Sequence, residues 1–217
     1  ASTNNTKRKL NMYNRDVREI KSFVRWGGTD AFVNTGLFVL LTIQAGLSTV
    51  KGSMEKVSID GVKANCLWGK KSEGYKYLIK HGDYLRSEMY KIADAKGYNS
   101  VEACADVVEL FMQVPNLGMV KASFLAQCLG FNVACIDGHN VKRLGINPNL
   151  VKTPPKAMKP ETARRKVEEY IVLTQREGSK YWWNTWCEYV AGNKANRKLT
   201  TGNVVSKFHV ECITYGR

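Results

Sequence analysis

Val114-Pro115-Asn116-Leu117-Gly118 is a turn that few backbones can adopt. Proline fixes its own φ, and the residue that follows must tolerate a left-handed conformation, for which asparagine is second only to glycine. On one side, Ser100-Val101-Glu102-Ala103 opens a helix that runs to Met112 and carries Val107, Leu110 and Phe111 toward a core. On the other, Met119 to Leu129 is a helix of small and apolar residues. The turn therefore joins two helices. A helix that begins this way points backbone N–H groups outward, where a phosphate can sit without meeting a side chain.

Helical periodicity dominates the remainder. Asn14 to Trp26 places Val17, Ile20, Phe23 and Val24 on one face and stops at Gly27-Gly28, after which Thr29 and Asp30 cap an apolar helix from Ala31 to Leu47. Tyr75 to Lys96 is a helix with Tyr77, Leu78, Tyr84, Leu85, Met89 and Ile92 inward. Alternation in Val57-Ser58-Ile59-Asp60-Gly61-Val62-Lys63 permits one small β-hairpin with an Asp-Gly turn. Asn147-Pro148, Pro154-Pro155 and Pro160, interleaved with Lys152, Lys156 and Lys159, make a stiff basic connector, either a linker or a wall for a ligand. A helix from Thr162 to Arg176 follows, with Val167, Tyr170, Ile171 and Leu173 as its apolar stripe. Next comes an aromatic helix, Tyr181 to Val190, whose Trp182, Trp183 and Trp186 read first as core and second as stacking residues. Val204 to Tyr215 closes the chain as a short helix or an extended tail.

The expected class is all-α: one helical unit over residues 1–217, with a core lobe at 31–144 and a second lobe made of 1–30 and 145–217. Phe32 to Val50 is broken by too many polar residues and glycines for a membrane span. No apolar segment follows the basic start Ala1 to Lys9, so secretion is not expected. Six cysteines at scattered spacings, without a CxxC pair, argue against structural zinc and against a disulfide framework, and a reducing cytosol suits them.

Charge narrows the partner. The chain has 33 Lys and Arg against 19 Asp and Glu, a net charge of +14. From Gly138 to Arg217 there are 15 basic and 6 acidic residues, so most of the surplus lies in the C-terminal third. Such a surface attracts polyanions over about 8 Å at physiological salt, and release of counterions makes the affinity steeply salt-dependent. Basicity alone also serves solubility, and does not separate DNA from RNA or an anionic membrane.

The turn at 114–118 with Ala122 downstream, followed by Ile136-Asp137-Gly138-His139 and Val141-Lys142-Arg143-Leu144, resembles the helix-hairpin-helix superfamily of DNA glycosylases, which includes endonuclease III and the adenine-specific mismatch glycosylases. The likeness covers Phe111 to Leu144. It implies a double-stranded DNA substrate held at Pro115, Asn116, Leu117 and Gly118, with His139, Lys142 and Arg143 near the backbone, and base excision at Asp137. Leu40-Leu41-Thr42-Ile43-Gln44-Ala45 is similar to an early family helix, which gives Gln44 the role of filling the gap left by a flipped base. Some relatives carry a four-cysteine iron–sulfur cluster after the catalytic Asp. Only Cys187 and Cys212 follow Asp137 here, so no such cluster is expected. A monovalent cation held by hairpin carbonyls near Val114 and Leu117 is implied by resemblance alone, and otherwise no cofactor. The protein is expected to act as a monomer in the cytoplasm or nucleoid, and a viral source fits as well.

Cleaving a glycosidic bond requires stabilisation of a sugar that becomes cation-like, and a nucleophile to capture it. A carboxylate at Asp137 meets the first need and can activate water for the second, though Asp before Gly-His-Asn-Val is also an ordinary helix cap. Family members with lyase activity attack the sugar with a lysine after the hairpin. Ungapped counting from Gly118 puts that position on Val120, with Lys121 beside it, and one residue turns a helix face by about 100°. Lys121 is thus a candidate nucleophile, a phosphate contact or a solvated helix residue, and the strict register favours the water route. His139 is a candidate phosphate or Asp137 contact, or a first-turn residue without a chemical role. His81 and His209 are too isolated for a metal site. Trp26, Trp68 and Tyr75 are conceivable stackers, though core packing suits each better. A helical grip without catalysis, used to package or organise DNA, is the alternative function.

Overall fold

The computed structural model describes residues 12–192 and 205–215, and among them every regular element is a helix or a 3-10 turn. Ala1 to Lys9, and the part of the basic C-terminal third at 193–204, lie outside the described residues. In chain order the helices are α1 (Met12–Leu41), α2 (Leu47–Asp60), α3 (Lys70–Lys96), α4 (Val101–Phe111), α5 (Met119–Cys128), α6 (Gly138–Leu144), α7 (Pro160–Gln175), α8 (Ser179–Gly192) and α9 (Val205–Ile213). Their buried apolar side chains form one contiguous cluster.

α1 is two helical segments meeting at Gly28, whose φ of 65° and ψ of −148° no helix shares. The break falls where the paired glycines put it. Thr29 does not cap the second segment with its hydroxyl, which donates instead to Asp83 Oδ1 at 3.1 Å. Val17, Ile20 and Val24 are buried as expected, and the second segment buries an unbroken run from Thr35 to Leu41. That segment then ends six residues earlier than its apolar pattern suggests. Residues 42–46 form a turn, with Gln44 in the left-handed region at φ 50°.

α3 lies against α1 through small residues. Its buried stripe is Gly74, Leu78, Gly82, Leu85, Met89 and Ala93, at steps of three and four. Leu78 sits so close to Gly36 of α1 that a Cβ there would lie 2.7 Å from its Cδ1, and a Cβ on Gly82 would lie 2.6 Å from Val33 Cγ2. A side chain at either crossing would have to displace the facing methyl groups. Tyr84, expected inward, is half exposed, because Gly82 takes the buried place on that turn.

No hairpin forms at Val57–Lys63. Helix α2 runs through Val57 to Asp60, burying Val50, Met54 and Val57, and Gly61 closes it with φ 57° and an N–H bonded to the Val57 carbonyl. An Asp-Gly pair suits the end of a helix as well as the tip of a hairpin, and the buried spacing of three and four decides for the helix. Ile59, which a strand would have paired, is exposed.

α4 is capped by Ser100, whose Oγ accepts the Ala103 amide at 3.0 Å. The connector after α6 is a short 3-10 turn, Pro148–Val151, and then an irregular stretch to Pro160, which starts α7 at its first position. Val205–Ile213 is a helix, resolving the choice between helix and extended tail.

Candidate functional site

The turn between α4 and α5 has the geometry its sequence demands. Val114 and Leu117 are buried, Asn116 has φ 73°, and the Leu117 amide donates to the Val114 carbonyl at 3.0 Å. Proline and a left-handed asparagine at the two central positions give a type II turn. The first amide of α5 is not open to solvent anions, since Met119 N donates to Thr153 Oγ1 at 2.9 Å. Thr153 comes from the proline-rich connector and lies against Gly118, where a Cβ would be 2.5 Å from its hydroxyl oxygen. That stretch of connector is a wall of the turn.

α5 leads away from the turn and delivers Lys121 to a cavity of about 810 Å³. The cavity also takes in Asp137, His139 and Gln44, so the two candidate catalytic residues, the candidate gap-filling residue and one candidate backbone contact share one space. Lys121 reaches it although ungapped counting from Gly118 puts Val120, not Lys121, at the expected lysine position. Its Nζ donates to Thr42 Oγ1 at 3.2 Å and lies 5.5 Å from the centre of the Phe124 ring. Gln44 is an exposed residue of the 42–46 turn at the cavity's edge, not a polar group inside an apolar helix.

Asp137 is half-buried and caps α6, with Oδ1 accepting the Asn140 amide at 3.0 Å. The loop before it is fixed by side chains from three elements. Tyr170 of α7 donates to the Ala134 carbonyl at 2.6 Å and accepts the Ile136 amide at 3.0 Å. Gln127 of α5 accepts the Cys135 amide at 3.4 Å and donates to the Ser179 carbonyl at 2.9 Å. Asn140 of α6 donates to the Cys135 carbonyl at 3.4 Å and is itself held by Arg143 at 2.9 Å. Such bracing presents a carboxylate in one orientation, which is what electrostatic work on a developing charge requires. Cys135 also lines the cavity, but burial pushes its thiol up to about 11, too high for a resident nucleophile at neutral pH.

Much of the remaining lining is aromatic. Trp182, Trp183, Trp186 and Tyr189 of α8 line the cavity with Phe38, Phe124 and His209. Trp182 and Trp183 are buried, so core packing and cavity lining coincide in the same side chains. Trp26 and Trp68 are exposed, and neither they nor Tyr75 reach the cavity. His209 carries no sequence signal of its own. α9 brings it to the cavity, and only the packing of three other helices around it gives it a setting.

Lys142 and Arg143 are exposed on α6, and Arg143 lies 5.7 Å from the Tyr189 ring, which His139 also approaches at 6.3 Å. From Leu110 to Pro160 the chain carries six Lys and Arg and a single carboxylate, Asp137. Among the described residues no cluster of His, Cys, Asp and Glu could hold a metal ion, all six cysteines are unpaired, and no helix is long and apolar enough to cross a membrane. Compared with known protein families, with curated proteins and with solved structures, the chain matches none.

Proposed function

We propose that the protein is a DNA N-glycosylase that draws a base out of the duplex and excises it. One observation carries this reading: a braced carboxylate, a lysine amine and several aromatic rings line a single cavity, and Asp137 is the one carboxylate in the stretch from Leu110 to Pro160, which carries six Lys and Arg. A flipped base needs a cleft with flat apolar walls, and an acid chemistry at its sugar needs a fixed negative charge. In this reaction the bond between the sugar carbon and the base nitrogen breaks with its electron pair leaving on the base. Asp137 opposes the positive charge that grows on the sugar. Water then adds to the sugar carbon and gives its proton to Asp137, while the departing base takes up a proton.

Lys121 offers a second route, in which its amine attacks the sugar carbon and forms a Schiff base that allows strand cleavage. The charge and the turn at 114–118 support a double-stranded DNA partner, with Pro115, Asn116, Leu117, Gly118, His139, Lys142 and Arg143 as the proposed contacts to its backbone. Gln44 at the cavity edge fills the vacated stack. A cation at the turn would share the Val114 carbonyl with the Leu117 amide.

Labelled duplexes bearing a panel of altered bases test the reading. The wild-type protein should release base and leave alkali-labile sites, and Asp137→Asn should abolish release while duplex binding persists. Base release undiminished in that variant removes Asp137 from the chemistry. Binding without release from any duplex leaves the non-catalytic DNA-organising role. Borohydride should trap the wild-type protein on DNA and not Lys121→Ala if the lysine route operates. Absence of a wild-type adduct leaves water as the nucleophile.

A further inference from the structure

Lys71, the second residue of α3, is the one buried lysine among the described residues, at 3% exposed. Its amine makes no hydrogen bond or ion pair with any described residue, yet it is not sealed from solvent as the Ser123 hydroxyl and His209 Nδ1 are. Nζ lies 4.6 Å from the centre of the Trp68 ring, and that ring is more than half exposed. An ammonium taken out of water without a counter-charge is costly, and a neighbouring ring offsets only part of the cost. Burial lowers the Lys71 amine from its usual value, Cys66 pulls it back, and the charge of Lys121 lowers it again. What the site lacks is an anion.

The start of the helix has the same deficit. The residue before α3 is Gly69, which brings no side chain to cap the first amides. Such an end carries partial positive charge and favours an anion, so a lysine placed there gains nothing from the helix until one is bound. Helical side chains lean toward the N-terminus, and the position of Nζ over Trp68, three residues earlier, aims the amine at that end.

The fold sets this end of α3 beside the turn at 114–118. A Cβ on Gly74, one turn beyond Lys71, would lie 2.4 Å from the Pro115 carbonyl oxygen. Lys121, which lines the cavity, is close enough for its charge to act on Lys71. At the turn itself, the Met119 amide is already taken by Thr153. α3 therefore offers a passing strand what that amide does not, a donor without a partner.

We propose that Lys71 and the N-terminus of α3 form a phosphate-binding site that holds a backbone phosphodiester of the DNA strand beside the cavity. The assignment rests on the DNA-binding part of the reading above and not on base excision. It adds a backbone contact on the other side of the turn from α5.

Two measurements without chemistry test it. In protein labelled with ¹³C at lysine Cε, the Lys71 signal is identified by its loss in Lys71→Arg. Inorganic phosphate should shift that signal saturably, and chloride at equal ionic strength should not. Lys71→Met, which keeps the apolar stem, should bind an unmodified duplex about tenfold more weakly, as loss of one hydrogen bond to a charged group implies. Its plot of log Kd against log salt should be shallower by about 0.9, the counterion release of one phosphate. Lys71→Arg should keep the wild-type slope. Lys71→Met should also unfold at or above the wild-type urea midpoint, whereas a role confined to packing on Trp68 predicts a lower midpoint and an unchanged slope. An unmoved Lys71 signal or an unchanged slope in Lys71→Met overturns the assignment. A phosphate shift with an unchanged slope would mean a site for a free phosphate compound instead of the DNA strand. Absence of duplex binding by the wild-type protein overturns it together with the DNA reading. Failure of base release with these results intact counts against excision alone.

Discussion

The Thr153 hydroxyl accepts the Met119 amide at 2.9 Å, and so the connector after α6 caps the helix that carries Lys121. This cap crosses 34 residues of sequence. Removing it in Thr153→Ala should cost about 1 kcal/mol, the usual worth of a side-chain N-cap, read as a lower urea midpoint with an unchanged slope. Thr153→Ser should restore it. If the α5 amides hold a DNA phosphate, the alanine variant should also bind duplex at least as tightly as wild type, since one more N–H is open. Weaker binding would mean that Thr153 itself touches the DNA.

Asn116 stands at φ 73° in a turn that buries the residues on both sides. Glycine relieves the steric cost of that conformation, whereas alanine or valine raises it by roughly 1–2 kcal/mol. Asn116→Gly should therefore unfold near the wild-type midpoint, and Asn116→Val well below it. Equal midpoints for the two variants would show that the turn relaxes when the side chain changes.

These two sites differ in how far sequence alone reveals them. Asn116 after a proline, Ser100 before Val-Glu-Ala and Asp137 before Gly-His-Asn each state their conformation locally, and each is found as written. Thr153 gives no such sign, because its partner lies on another element. Gln44 misleads, since Leu40 to Ala45 continues the apolar pattern of α1, and only the packing of the chain ends the helix at Leu41. Asp60-Gly61 is ambiguous in itself, serving a helix end or a hairpin equally. The tryptophans of α8 are at helical spacing on a buried face, and periodicity cannot tell a wall that meets other side chains from one that meets a cavity. His209 is the extreme case, as its ring neighbours come from α1, α5 and α8.

Tyr170 holds the loop before Asp137 through two hydrogen bonds, to Ala134 and Ile136, with all three groups buried. Phenylalanine in its place fills the same volume but leaves an N–H and a carbonyl unsatisfied, at about 1–3 kcal/mol. Tyr170→Phe should lower stability by that amount. In a base-release assay it should slow turnover while leaving duplex affinity close to wild type, because the loop aims the carboxylate and the contacts to the DNA backbone lie elsewhere. Undiminished turnover would show that Gln127 and Asn140 suffice to hold the loop.

Trp183 links two buried titratable groups with opposite pH behaviour. Its indole Nε1 donates to Asp16 Oδ2 at 3.3 Å, and its ring lies 4.6 Å from that of His209. Burial raises Asp16 from 3.8 to about 6, against the pull of Arg15 and the Trp183 hydrogen bond and with a small push from Glu19. Its folded form keeps a proton that the unfolded chain gives up, so its stabilising contribution is full below about pH 4 and is lost as pH rises through 6. His209 falls from 6.5 to about 3, through burial and then the Lys121 charge. Its folded form refuses a proton that the unfolded chain accepts, so its contribution is full above about pH 6.5 and is lost as pH falls toward 3. Between pH 4 and 6 the two slopes oppose each other, and each variant should expose the other group. Asp16→Asn should match wild type near pH 4 and exceed it at pH 7 by up to about 3 kcal/mol, two units at 1.36 kcal/mol each. Its stability should also fall more steeply than wild type on acidification. His209→Phe should show the reverse, losing stability as pH rises from 4 to 6 where wild type stays nearly level. Urea unfolding at unit steps from pH 4 to 7 measures all three curves, and parallel curves would mean that neither group is buried as tightly as its surroundings indicate.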